Sequence, residues 1–195
     1  LNTNLIFGGL MTYPPISEPE RVNTFLTEAK QLIEKNRIVV ETISIGGSPD
    51  MWKVEDIPIA NEYRIGTYIF NDRSLLHRGV CDERDCALTV LTTVVSTPTD
   101  YRAIVDAGSK VLTSDLFGLE DYGRVLSKPH LKICQLTEEH GTITSDNPTG
   151  LKIGQQLKII PNHACVVTNM LDSVIFVENE TPIKHQKVIA RGKVW

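Results

Sequence analysis

His163 and Cys165, two positions apart in Pro161-Asn162-His163-Ala164-Cys165, carry the side chains of this sequence best suited to chemistry. On an extended chain alternate side chains share a face, so the two would project together and could hold one cation. Imidazole with thiolate is a borderline-soft pair that favours zinc over magnesium or calcium. Two protein ligands fall short of the four that close a structural zinc site, so a metal held here keeps positions open for substrate or water. Taken alone, the same pattern is more often a buried histidine and a buried free thiol packed in a strand.

A second set of candidates lies in the first third of the chain. Gly46-Gly47-Ser48-Pro49-Asp50 follows an apolar run. Glycines there let the backbone approach a ligand, and N–H groups with a serine hydroxyl can hold an anion. A plain strand-to-helix turn explains the same residues equally well. Farther on, Gly66 and Thr67 offer further phosphate donors, Tyr68 a hydroxyl and Arg64 a fixed positive charge. Read alone, that segment is also an ordinary strand with Arg64 in solvent.

These residues need elements to position them. Residues 5–10 read as a buried strand. A helix follows, with Ser17 as cap, Pro19 in the first turn, and Glu18 and Glu20 at the positive end of the dipole. Its apolar face is Val22, Phe25, Leu26, Ala29, Leu32 and Ile33, and it should end near Asn36. Residues 38–45, β-branched and mostly apolar, suit a parallel strand covered on both faces. Residues 73–84 are charged and connective. Beyond them strand-like runs appear at 87–95, 103–105, 132–136, 157–160, 165–168, 174–177 and 187–190, separated by turn residues such as Pro98, Gly108, Gly141 and Gly154. The pattern predicts an α/β part followed by a mainly-β part, as two domains, 1–80 and 81–195, with the boundary between Asp72 and Ala87.

The bulk numbers narrow the partners. The chain has 195 residues, 41% hydrophobic and 23% charged, as expected for a soluble globular protein. A net charge of −4 with dispersed lysines and arginines gives no field for nucleic acid, and no apolar run is long enough to span a membrane. A small molecule is the expected partner. Cys81, Cys86, Cys134 and Cys165 form no Cys-x-x-Cys pair, which fits a reducing cytoplasm, and no secretory signal is visible. The first residue is Leu1, and a strand begins almost at once, which suggests a piece of a longer protein.

Six words in one order carry a resemblance. They are Gly9-Leu10-Met11-Thr12-Tyr13, Ser44-Ile45-Gly46-Gly47-Ser48-Pro49, Arg64-Ile65-Gly66-Thr67-Tyr68-Ile69-Phe70-Asn71-Asp72, Asp106-Ala107-Gly108-Ser109-Lys110, Glu138-Glu139-His140-Gly141 and Pro161-Asn162-His163-Ala164-Cys165. Together they resemble the C-terminal half of the pyridoxal-phosphate enzymes of the alanine racemase fold, in the branch of D-threonine aldolases and D-serine dehydratases. The resemblance implies the last three βα units of a TIM-type β/α barrel, followed by a C-terminal mainly-β domain. It places Gly46, Gly47, Ser48, Gly66, Thr67 and Tyr68 at the cofactor phosphate. Arg64 matches the position from which alanine racemases address the pyridine nitrogen, where a guanidinium weakens the electron sink and shifts weight to a metal. His163 and Cys165 match the zinc pair of the dehydratases. Many of the aldolases have Asp where this chain has Cys165, which leans towards dehydratase.

The implied activity is a metal-assisted lyase on D-3-hydroxy amino acids, in a homodimer. A racemase of the same fold, or a non-catalytic pyridoxal-phosphate-binding protein, remains open beside it. The family's Schiff-base lysine lies near the start of the barrel and has no counterpart here. Lys110 reads as a surface or loop lysine, so the chain as given needs the N-terminal half for turnover.

Overall fold

The computed structural model describes residues 4–193, and Leu1 lies outside them. The chain divides into two units, one ending at Ile69 and one beginning at Phe70.

In the first unit, β1 (Leu10–Met11), β2 (Ile43–Gly46) and β3 (Glu62–Arg64) form a parallel sheet in that order. The helix α1 (Pro19–Glu34) joins the first two strands. Pro19 starts it, where a missing N–H costs nothing. The cap is Glu18 and not Ser17, whose backbone N–H turns away to donate to the Asp50 carboxylate at 2.8 Å. Val22 and Leu26 pack with Val40, Ile43, Ile45 and Ile57 as the core. Phe25 and Leu32, expected inward, are exposed, because so small a sheet covers only a narrow stripe of the helix. The strands are shorter than the sequence suggests. Leu5 and Ile6 are 75% and 96% exposed, and pairing begins at Leu10, which lies opposite Ile43 and donates to the Thr42 carbonyl, so residues 38–41 lie ahead of the sheet. Of the three βα units expected, the second connection is a 3-10 segment, Ser48–Asp56, because Pro49 starts it and Asp50 and Lys53 leave helical backbone angles.

The second unit is built on a closed antiparallel barrel of six strands. After the short helix α2 (Arg73–His77) come β4 (Val90–Thr99), β5 (Arg102–Val105), the helical turn α3 (Ser109–Leu112), β6 (Gly123–Val125), β7 (Lys132–Leu136), β8 (Gly141–Thr144) and β9 (Gln156–Pro161). Around the barrel the order is β4-β5-β8-β7-β6-β9. Val94, Val105, Val125, Ile133, Ile143 and Ile159 point inward and are fully buried. The helix α4 (Ala164–Met170) and a hairpin of β10 (Ser173–Glu178) and β11 (Thr181–Lys187) follow.

Two strands escaped the sequence reading. Both β6 and β8 are short and begin with glycine, which reads as a turn residue. A Cβ on Gly141 would lie 2.8 Å from the Ala107 carbonyl oxygen, so the barrel wall leaves no room for a side chain there. The last expected strand, 187–190, shares only Lys187 with β11. The run 165–168 is a helix and not a strand, for reasons that belong to the site described below.

The division between units falls before Phe70, ahead of the 80/81 boundary read from sequence. The stretch that looked connective belongs to the barrel unit: the Phe70 carbonyl accepts the Ala87 N–H at 2.7 Å, and Arg73 pairs with the Asp121 carboxylate. Among the described residues no helix is long and apolar enough to cross a membrane. None of the four cysteines is in a disulfide.

Candidate functional site

The candidate residues fall into two clusters, one in each unit. In the first, β2 and β3 end side by side, with Gly46 opposite Arg64. The Gly47 N–H donates to the Arg64 carbonyl at 3.0 Å, and the Tyr63 hydroxyl donates to the Gly47 carbonyl at 2.9 Å. Burial, then the Asp50 carboxylate and Tyr13, hold the Tyr63 hydroxyl above its ordinary pKa, which keeps it a donor. Ser48 Oγ accepts the Thr67 N–H at 3.1 Å and so ties the two loops together. Gly47 has φ 126°, and a Cβ there would meet the Tyr13 ring at 3.0 Å, so this turn requires glycine.

Alternation along β2 sorts the side chains. Ile43 and Ile45 face α1, whereas Ser44 lies on the other face with Arg64. The Arg64 guanidinium donates to Ser44 Oγ and, at 3.0 Å, to the Thr12 carbonyl. Ser44 in turn donates to the Glu62 carboxylate. Four of the six sequence-read phosphate residues, Gly46, Gly47, Ser48 and Thr67, are thus drawn together beside Arg64. A Cβ on Gly66 would meet nothing within 4 Å, and Tyr68 is exposed.

The second cluster surrounds the corner between β9 and α4. His163 has extended backbone at the N-cap, and Cys165, exposed, lies in the first helical turn. The expected extended alternation therefore stops at His163. The helix forms because Ala164 and Val167, at helical spacing, bury against the barrel core, and because the buried Asp72 carboxylate accepts the Ala164 N–H at 3.0 Å. Val166, Val167 and Thr168 favour a strand by type, but tertiary packing overrides that preference. The two side chains still meet across the corner. The hydrogen bond with Cys165, and after it the Asp115 carboxylate, push the His163 pKa up to about 9 against the opposing effect of burial.

Three residues the sequence did not single out shape this corner. Asp115 Oδ2 accepts from His163 Nδ1 at 2.7 Å. The Phe117 ring meets the His163 ring edge-on, with centroids 4.8 Å apart. Asn162, fully buried, donates to the carbonyls of Asp115 at 3.0 Å and Asp121 at 2.8 Å. Asn162 stood inside the noticed word, next to the histidine it supports. Asp115 had no local signal, being 48 residues away. Among the described residues no group of three or more His, Cys, Asp or Glu is arranged to hold a metal.

Residues 87–177 match the family model described as a putative serine dehydratase domain. An uncharacterised protein of Mycobacterium tuberculosis is 38% identical over 132 residues, covering 64% of this chain and 98% of that protein. The chain belongs to the family of D-serine dehydratases and D-threonine aldolases. It corresponds to the C-terminal part of those enzymes.

Within this dehydratase and aldolase family, the D-serine dehydratase of Dictyostelium discoideum is 31% identical over 162 residues, 74% of this chain and 41% of that enzyme. Other members similar to the chain are named as 3-hydroxy-D-aspartate and D-threonine aldolases, so the named relatives are lyases. The chain spans about two fifths of the length of these named enzymes. The crystal structure of D-threonine aldolase from Filomicrobium marinum superposes with a TM-score of 0.77 at 24% identity, over 98% of this chain and 55% of that one, which establishes the shared fold. Solved variants of D-threo-3-hydroxyaspartate dehydratase include a His-to-Ala and a Cys-to-Ala substitution two positions apart, the latter in a metal-free form.

Proposed function

We propose that the chain is the C-terminal half of a pyridoxal-phosphate-dependent, metal-assisted lyase acting on D-3-hydroxy amino acids. The observation that carries this reading is the joining of two loops, Gly46-Gly47-Ser48 and Gly66-Thr67, at the ends of adjacent parallel strands. Such ends are where β/α barrels hold phosphate groups. The residues present fit that group. A glycine turn brings the backbone close, and the Ser48 hydroxyl, already accepting from Thr67, has its own hydrogen left for a phosphate oxygen. Arg64, fixed by Ser44 and the Thr12 carbonyl, supplies a permanent positive charge beside the loops.

The second cluster suits a metal of zinc's softness. His163 and Cys165 give one nitrogen and one sulfur donor, and two ligands leave positions open for a substrate hydroxyl. Their two-position spacing matches that of the histidine and cysteine replaced in the dehydratase variants. When bound, pyridoxal phosphate supplies an electron sink for charge at the substrate α-carbon, and zinc supplies Lewis acidity towards the 3-hydroxyl. On this reading the Schiff-base lysine and the rest of the barrel come from sequence outside the chain, and the complete enzyme is an isologous homodimer.

The experiment uses the full-length enzyme with a D-3-hydroxy amino acid as substrate. Dialysis against EDTA abolishes turnover, and zinc restores it. Release of ammonia and a 2-oxo acid assigns dehydration, whereas glycine and an aldehyde assign aldol cleavage. Turnover indifferent to chelation and to zinc, or loss of chirality with no bond cleaved at the β-carbon, overturns the metal-assisted lyase.

A further inference from the structure

We infer that Asp115 is the positioning residue of the metal site, holding His163 in the one ring orientation and tautomer that directs the Nε2 lone pair to an ion shared with Cys165. The inference rests on the reading of His163 and Cys165 as ligands. A ligating histidine needs its second nitrogen fixed, since an imidazole free to rotate or to exchange tautomers presents its lone pair only part of the time. Here the Asp115 carboxylate lies 2.7 Å from Nδ1 and accepts its hydrogen, while the edge-on Phe117 ring restricts rotation.

The backbone that carries this carboxylate is itself held by a built scaffold. Its loop bends through two non-glycine residues with left-handed backbone, Thr113 at φ 65° and Phe117 at φ 50°. Such conformations persist only where the surroundings enforce them. The enforcement comes from Asn162, which binds the carbonyls of Asp115 and Asp121 from a fully buried position. Arg73 secures the far side of the loop: its guanidinium donates to the carbonyls of Asp121 at 3.2 Å and Gly123 at 3.0 Å and pairs with the Asp121 carboxylate. Asn162 thus sits beside the histidine in sequence and supports the carboxylate that orients it.

The test titrates zinc into the full 195-residue chain against a chromophoric chelator, for the parent, Asp115→Ala, Asp115→Asn, His163→Ala and Cys165→Ala. Asp115→Ala is expected to weaken zinc binding by about 10- to 100-fold. Asp115→Asn, whose amide oxygen still accepts the Nδ1 hydrogen, loses less. A second readout is the nitrogen that binds, followed by long-range proton–nitrogen NMR of histidine-labelled, zinc-loaded chain. The parent shows zinc on His163 Nε2 with Nδ1 protonated, and Asp115→Ala loses that single form. A thermal melt identifies any variant that fails to fold, and Asp115→Asn then decides. Zinc affinities of both Asp115 variants within about twofold of the parent, or zinc on Nδ1 in the parent, overturn the inference while the ligand reading stands. A parent that takes up no zinc, or His163→Ala and Cys165→Ala chains that bind as well as the parent, overturn both.

Discussion

Asp106 begins one of the six words that carry the resemblance, and its contacts make it a clamp. Thr92 Oγ1 donates to its carboxylate at 2.6 Å and the Thr93 N–H at 2.7 Å, joining the end of β5 to β4. These bonds, the Thr92 hydroxyl foremost, hold the carboxyl below the usual carboxylate range. A depressed folded-state pKa stabilises above the ordinary value and is lost as pH falls through the folded value. Asp106→Asn should therefore cost about 1 kcal/mol near neutral pH, less than is usual for charged hydrogen bonds because Asp106 is exposed. The cost should shrink at acid pH, as the pH falls below the ordinary carboxylate value and through the depressed folded one. Urea midpoints at neutral and acid pH check this, and an equal cost at both rejects the clamp. Lys110, four residues on, pairs with Glu138 and Glu139 on the surface. The words at 106 and 138 were legible, but their roles were not, because words far apart in sequence give no sign that they pack together. Residue type alone marked His163 and Cys165, whereas Asp115 is connected to them only through the fold.

The helix α4 shows how an element can be misread when each residue is read correctly. Three residues in a row, Val166, Val167 and Thr168, carry β-branched side chains, yet the backbone turns helical immediately after His163. One buried carboxylate accounts for much of that. Asp72 caps α2 through the Leu75 N–H at 3.1 Å, accepts from Ser74 Oγ at 2.7 Å, and receives the first N–H of α4 from Ala164. The same side chain therefore starts two helices and brings the Phe70–His77 stretch into the barrel unit. Replacing it with alanine removes a cap and leaves the buried Ala164 N–H without its acceptor. The expected loss is about 2–4 kcal/mol, read from urea unfolding. A loss below about 1 kcal/mol would mean that the Ala164 N–H finds water, and Asp72 would then not be what starts α4.

At the scale of the whole molecule the sequence showed a change of period, from helix-and-strand to strands alone, and that change marks two separate cores. One is Val22, Leu26, Val40, Ile43, Ile45 and Ile57 under a three-stranded sheet. The other fills a closed barrel, with Val94, Val105, Val125, Ile133, Ile143 and Ile159 fully buried. Closure matters energetically because a closed sheet has no edge strand, so every strand has a bonded neighbour on both sides. Among the described residues β1 and β3 are both edges of the parallel sheet, only β2 is flanked on both sides, and Met11 is exposed. Local opening follows burial and backbone pairing, so the two cores should not open together. Native-state hydrogen exchange of the chain should show amides in β4, β8 and β9 exchanging slower than those of β2 by about an order of magnitude or more. Added denaturant should release the β2 amides first, through opening that leaves the barrel protected. Exchange from all four strands at one rate would show a single cooperative unit, and the two-core organisation would then describe the packing without describing the energetics.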